Sequence, residues 1–345
     1  ITLGSPLTMT IKNKDWENWQ QIMAVKENTE SDANKKNNNI NAEKVNKPRP
    51  GHADLAGALK YNFKDMRNIL ERASARETAA RTAVGAVCKQ FLKQFSIKVK
   101  SHVIKLGNIE SKTWNQLKKE KNNLKSINSN PRQIDRFFEK VDSSPLRCVD
   151  REKTEEMIEL INKWKKNGDS VGGITEVIVF GLPTGLGSHT HWDSKLDGQL
   201  AGSLMSIQAV KGVEIGKGFK GAALAGSQIH DQIYYSQDKG YYRSSNNAGG
   251  IEGGMSNGEN IICKIAVKPI PTLAHPLHSV NIESKEETTA AKERSDVCAV
   301  PSASIIAEAV TAITLARSFT EKFAGDSMKE IKRNYNSYLK YIEEF

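Results

Sequence analysis

The chain has 345 residues, of which 38% are hydrophobic, and carries a formal net charge of +10. That length admits one large domain or two, and no unbroken apolar run is long enough to make a membrane span the organising feature. The lysine excess suits nucleic acid or a phosphorylated small molecule; no basic stretch interleaved with aromatics points to nucleic acid, which favours the small molecule.

In chain order, residues 7–11 are apolar and extended in character and predict a strand entering a turn at Asn13-Lys14-Asp15-Trp16. Residues 28–48 are rich in Asn, Lys and Glu and predict a flexible loop. It ends at Pro48 and Pro50, which force extended backbone before Gly51-His52. A helix is expected from Arg72 to about Gln94. It is rich in Ala, Gly and Val, so it should be buried on more than one face, with arginines at its start that suit an anion. Residues 97–106 read as a strand, and lysine-rich 111–125 and then 131–141 as exposed, solvated helices. Met157, Leu160, Ile161 and Trp164 fall at helical spacing, with Gly168 as the stop.

A β-branched strand follows at 174–180, then a helix whose face is Leu196, Leu200, Leu204 and Ile207. Residues 236–258 read as a glycine-rich loop, and 260–267 as a strand ended by Pro269. Helices close the chain at 302–323 and 326–343. The first of these is again small and apolar, so two such helices predict a packed central layer with antiparallel sheets on both sides, an α+β class. The four cysteines, Cys88, Cys148, Cys263 and Cys298, form no CxxC pair and read as reduced intracellular thiols. The chain starts at Ile1, and no targeting peptide is legible.

Several residues have the chemistry of a site. His52, on a proline-stiffened loop, can give or take a proton near neutrality, or bond its own backbone. Arg294 and Asp296 would share a face of an extended segment, as a base beside a cation or as a plain ion pair. Lys268-Pro269-Ile270-Pro271-Thr272 is a rigid turn with one cation and one hydroxyl, suited to a phosphate or ribityl chain. Gly253 allows close approach of a planar ligand. Neither a P-loop nor a GxGxxG motif is present. His189 and His191, like His275 and His278, lack further ligands nearby, so no metal site is expected.

Taken in order, Arg49-Pro50-Gly51-His52-Ala53-Asp54, Arg72 to Arg81, Gly168 to Gly173, Gly181 to Gly187, Ser206 to Gly212, Gly249 to Gly258, Lys268 to Thr272 and Arg294 to Pro301 resemble the chorismate synthases. The resemblance runs from Gly4-Ser5-Pro6 through the last helix, as one domain over 1–345 in a sheet–helix–sheet sandwich. It implies a lyase that converts 5-enolpyruvylshikimate 3-phosphate to chorismate by 1,4-anti-elimination. It also implies a reduced FMN cofactor, NADPH as a source of reductant, a homotetramer, and a cytoplasmic location without nucleic-acid or membrane partners.

By the same resemblance His52, Asp296 and Ser74 are catalytic. Arg72, Ala73, Ser74, Gln208, Ala209, Gly253, Lys268, Pro269, Ile270, Pro271, Thr272 and Arg294 hold the cofactor, and Arg49 and Arg76 the substrate. The family carries a further N-terminal segment with a Gly-Glu-Ser-His-Gly motif before the position of Gly4. Its absence from this sequence makes an impaired flavin-binding oligomer the alternative expectation.

Overall fold

The computed structural model describes residues 4–20, 44–73, 75–120 and 131–345. In chain order its helices are α1 (Asp54–Tyr61), α2 (Arg67–Arg72), α3 (Ala75–Lys93), α4 (Trp114–Glu120), α5 (Pro131–Asp142), α6 (Arg151–Lys166), α7 (Leu196–Met205), α8 (Gly218–Ala222), α9 (Gly226–Ile229), α10 (Val300–Phe323) and α11 (Met328–Glu344). Its strands are β1 (Lys98–Leu106), β2 (Ile109–Glu110), β3 (Gly173–Phe180), β4 (Val210–Ile215), β5 (Ile233–Ser236), β6 (Gly240–Arg243), β7 (Ile251–Glu252), β8 (Met255–Ser256), β9 (Ile261–Val267), β10 (His278–Val280) and β11 (Glu287–Thr289). They fall into two compact units: Ile1–Ala80 with Pro276–Glu293, and Arg81–His275 with Arg294–Phe345.

The larger unit is built on an antiparallel sheet of order β2-β1-β3-β9-β4. The antiparallel sheets and α+β class expected from the sequence are present, as this sheet and the two-stranded ladders β5–β6, β7–β8 and β10–β11. β3 and β9 are buried on both faces, which is why they read as near-continuous apolar runs. One face (Val177, Val179, Cys263, Ile265) packs into the main core with α7 and α10. On the other, Ile178, Phe180 and Ile262 meet Trp114 and Leu117 of α4 and Ile134, Phe138 and Val141 of α5.

That second face corrects the reading of 111–125 and 131–141 as exposed. Ile134, Phe138 and Val141 lie at i, i+4 and i+7, an apolar stripe that the surrounding charged residues disguise. Burying side chains as large as Trp114 and Phe138 contributes about 1.5–3 kcal/mol each. Residues 121–125 of the first expected helix lie outside the described residues.

A row of ionisable residues crosses this sheet. His102 lies opposite Glu176, Glu176 opposite Lys264, and Lys264 opposite Glu214. His102 Nε2 is 2.9 Å from Glu176 Oε2, and Lys264 Nζ donates to Glu214 Oε1 at 2.6 Å.

Three further expectations are corrected. Residues 7–11 are not a strand; among the described residues they pair with no partner, and an unpartnered strand leaves its backbone groups to water. Arg72 does not open the long helix but ends α2, and α3 starts afresh at Ala75. Nor is α3 buried on more than one face: among its described side chains Thr78, Gly85 and Leu92 form one buried stripe, and Val84 and Val87 are exposed.

The face of α3 that is buried meets α10 at Gly85. A Cβ there would lie 2.4 Å from Ala309 Cβ and 2.5 Å from its Cα, so the smallness of both residues sets the approach of the two helices. Gly85→Val should therefore lower stability by about 1–3 kcal/mol through overpacking. Gly202→Ala, in α7, meets nothing within 4 Å and should be neutral or stabilising by up to about 1 kcal/mol. Chemical denaturation of the two variants checks this, and equal midpoints would contradict it.

α10 is long and apolar enough to cross a bilayer, but here it is the core helix of the larger unit, with Ala307, Ala312, Leu315 and Phe319 fully buried. It also buries Glu308. The Glu308 carboxylate accepts from Ser101 Oγ (2.8 Å) and Arg147 Nη2 (3.0 Å), and pairs with Lys89 of α3. Arg147 reaches on to Ser304 Oγ (2.8 Å) and the Ser101 carbonyl (3.0 Å), so one network ties α10 to β1 and α3.

In the smaller unit, Val45, Ala58 and Met66 form the core. Of the loop expected at 28–48, residues 28–43 lie outside the described residues. Residues 44–48 are not a flexible loop but a held strap. Val45, Asn46 and Lys47 carbonyls accept from Met66, Ile282 and Ala291 N–H groups, and Ser279 Oγ donates to the Pro48 carbonyl. The strap delivers Arg49 to the start of α1.

Candidate active site

In the smaller unit the Arg49-Pro50-Gly51-His52-Ala53-Asp54 segment folds back on itself. Gly51 takes φ +77°, and His52 N–H donates to the Arg49 carbonyl at 3.1 Å. This brings three side chains together. Asp54, the first residue of α1, has no exposed surface. Its Oδ2 accepts from Arg49 Nε (2.8 Å) and the Arg49 backbone N–H (3.1 Å). Its Oδ1 lies 3.1 Å from Arg49 Nη2 and 2.5 Å from His52 Nδ1. Burial alone would raise the Asp54 pKa. The hydrogen bonds and charges of His52 and Arg49 outweigh it and hold the carboxyl well below the usual carboxylate range.

Arg49 is buried and its guanidinium is turned onto Asp54, whereas the resemblance implied a substrate contact. His52 stays partly exposed and, with Arg49, lines an open cleft of about 720 Å³. Leu55, Leu59, Val280 and Ile282 make its wall apolar, and His278 and Lys285 add cationic groups.

The other expected residues of this unit divide. Arg72 is exposed and Ala73 closes α2 with its N–H on the Ile69 carbonyl (3.0 Å). Arg76 pairs with Glu71, which competes with any anionic ligand. Ser74 lies outside the described residues.

In the larger unit the Gln208–Ala209 segment and the Lys268–Thr272 turn come together. α7 ends at Met205, two residues earlier than expected, so that Gln208 and Ala209 form the link into β4. Ala209 takes φ +68°, and its carbonyl accepts from the Lys268 N–H at 2.9 Å. The Gly168–Gly173 loop then clamps the turn. Ser170 Oγ donates to the Ile270 carbonyl (2.7 Å), and Val171 N–H donates to the Val297 carbonyl (2.9 Å), one residue after Asp296. Gly172 is required by this closeness, since a Cβ would sit 2.3 Å from the Val267 oxygen.

Burial, and after it the neighbouring Lys211, holds the Lys268 pKa below its ordinary value. An anion bound beside both lysines would offset that repulsion. Pro269, Ile270 and Pro271 keep the turn rigid, and Thr272 is buried at its end.

Arg294 and Asp296 are exposed, and among the described residues neither enters an ion pair, so the ion-pair alternative is not realised. Gly253 is better explained as a turn. With Gly254 it makes a two-residue β7–β8 hairpin at φ +59° and +84°, a conformation that glycine supplies. Its Cβ position is open, which also leaves the tip accessible. His275 is structural, with Nδ1 donating to the Asn167 carbonyl at 2.9 Å. The cysteines are free thiols; burial, helped by Glu176, pushes Cys263 up to about 12, which makes it unreactive.

Sequence reasoning assigned no role to Asp54 or Lys211. The signal for Asp54 was its place two residues after His52, at the start of a helical pattern; Lys211 stands two residues after Ala209.

Comparison with known proteins identifies the family of the chain as a whole. The family profile described as chorismate synthase matches residues 1–320. The chorismate synthase of Aquifex aeolicus (strain VF5) is 49% identical over 344 residues, covering 100% of this chain and 82% of the relative. That of Geotalea uraniireducens (strain Rf4) is 51% identical over 352 residues, covering 100% and 83%. A solved structure described as the crystal structure of chorismate synthase is 45% identical, with a TM-score of 0.70, covering 85% of this chain and 77% of that one. The chain belongs to the chorismate synthase family.

Proposed function

We propose that this enzyme is a carbon–oxygen lyase that eliminates phosphate from 5-enolpyruvylshikimate 3-phosphate to give chorismate, using reduced FMN. The observation that carries the reading is the family match across residues 1–320, which spans both clusters of site residues. Reduced flavin, when bound, lends electron density and recovers it, which suits an elimination of an unactivated hydrogen without net redox change.

The chain's own residues fit that partner. Lys268 and Lys211 offer paired positive charge for a phosphate, and the rigid turn to Thr272 offers a hydroxyl for a polyol chain. Gln208, Ala209, Gly253, Pro269, Ile270, Pro271 and Arg294 of the larger unit, and Arg72, Ala73 and Ser74 of the smaller one, are carried over from the family as cofactor residues. By the same carry-over His52 would give a proton to the reduced cofactor or hold its charge, Ser74 would help relay a proton, and Asp296 would be the proton acceptor beside the flavin ring. Arg49 and Arg76, assigned to substrate by resemblance, have Asp54 and Glu71 as partners with which a substrate anion would compete.

The single domain over 1–345, the homotetramer, the cytoplasmic location and NADPH as reductant are carried over from the family on the same footing. The test is equilibrium titration by flavin fluorescence. Oxidised FMN should bind, and substrate should tighten the binding because the two ligands would stack. Absence of binding at high micromolar FMN in a folded sample would end the reading.

A further inference from the structure

We propose that Asp54 is a positioning residue for His52: it holds the ring through Nδ1–H and leaves Nε2 as the nitrogen that exchanges a proton. This deepens the proposed function and rests on its proton-transfer role for His52. The argument is one of hydrogen-bond bookkeeping. Asp54 Oδ1 is 2.5 Å from His52 Nδ1. A carboxylate oxygen and an imidazole lone pair repel at that distance, so Nδ1 carries a hydrogen. Arg49 Nη2, 3.0 Å from the same nitrogen, is then a donor beside a donor and does not bond to it; its N–H goes to Asp54 Oδ1 at 3.1 Å. Nε2, 3.3 Å from Nη2, is the remaining site of protonation.

Asp54 can be buried because its acceptor sites are used. Oδ2 receives Arg49 Nε and the Arg49 backbone N–H, and Oδ1 receives Arg49 Nη2 and His52 Nδ1. Removing the Asp54 charge while keeping its shape should therefore free the His52 ring to adopt the other tautomer, since an amide nitrogen turned toward Nδ1 donates where the carboxylate accepted. A purely structural Asp54, one that only anchors Arg49 and α1, predicts no such change.

Two measurements decide. In the full chain, long-range imidazole 15N spectra should show neutral His52 with its hydrogen on Nδ1; a hydrogen on Nε2 would overturn the proposal without any appeal to turnover. In Asp54→Asn, checked for folding by thermal unfolding, the same spectra should show the hydrogen of neutral His52 moved to Nε2. The value of kcat with reduced FMN and substrate should fall about 10²-fold. In a His52→Ala background the same change should cost less than about twofold, because the residue it positions is gone. A hydrogen that stays on Nδ1 in a folded variant, or losses that multiply, would overturn the proposal. Full turnover by His52→Ala would instead overturn the reading on which it rests, and the tautomer spectrum tells the two failures apart.

Discussion

Glu308→Ala should destabilise the larger unit by about 2–4 kcal/mol, because the buried Arg147 guanidinium loses one of its two carboxylate partners and keeps only the half-exposed Asp142. Lys89 is about a third exposed and can turn to water, so it contributes little of this. Arg147 cannot turn away. Its side chain is 12% exposed and is fixed by Ser304 Oγ and the Ser101 carbonyl, so the guanidinium stays where the carboxylate was. Two secondary effects add to the loss: Ser101 Oγ loses one acceptor but keeps the Ser304 carbonyl at 3.0 Å, and a cavity opens in α10. Replacing Arg147 and Glu308 together by apolar residues of similar volume should recover much of the stability. Urea denaturation of the single and double variants is the measurement. A loss below about 1 kcal/mol in Glu308→Ala would mean that water reaches the network.

His52→Ala should lower kcat by about 10²–10⁴-fold, the usual contribution of a positioned proton donor or acceptor, while FMN affinity changes much less. The separation follows from the proposed roles: His52 is placed on the proton transfer and is not among the residues carried over from the family as holding the cofactor. Structural damage should be small, because His52 is partly exposed and Asp54 keeps Arg49 as its partner. Anaerobic turnover with pre-reduced FMN, beside a fluorescence titration of the same preparation, reads both quantities. Turnover near the parent rate would remove His52 from the chemistry.

The order of motifs made the family legible, and with it most of the candidate site, because glycines, prolines and charged residues in loops record close approaches that no other residues satisfy. Gly172 against the Val267 oxygen is one such record. Patterns of a single helix were less informative. The charged residues of α5, Arg132, Asp135, Arg136, Glu139 and Lys140 among them, hid Ile134, Phe138 and Val141, whose burial against the sheet decides where that helix lies. The break between α2 and α3 was hidden for a different reason: Arg72, Ala73 and Arg76 all have good helix propensity, so the interruption is a tertiary choice. Asp54 was overlooked because its importance lies in three partners, and only two of them are near it in sequence as side chains; the third is the strap's own backbone.

The ionisable row across the central sheet restricts which alignments of β3 and β9 the chain can adopt. A slip of one residue exchanges the two faces of a strand, so that Ile178 and Phe180 would leave the α4–α5 side for the main core. A slip of two keeps each side chain on its own face, so apolar burial alone does not oppose it. A slip of β3 by two would carry Glu176 away from His102 Nε2, its partner at 2.9 Å, and a slip of β9 would carry Lys264 away from Glu214, its partner at 2.6 Å. Glu176 is 1% exposed, so in the first case its carboxylate would lose that partner in a dry environment. The charges thus exclude the one class of mispairing that oiliness tolerates, and they do so during folding as well as after it.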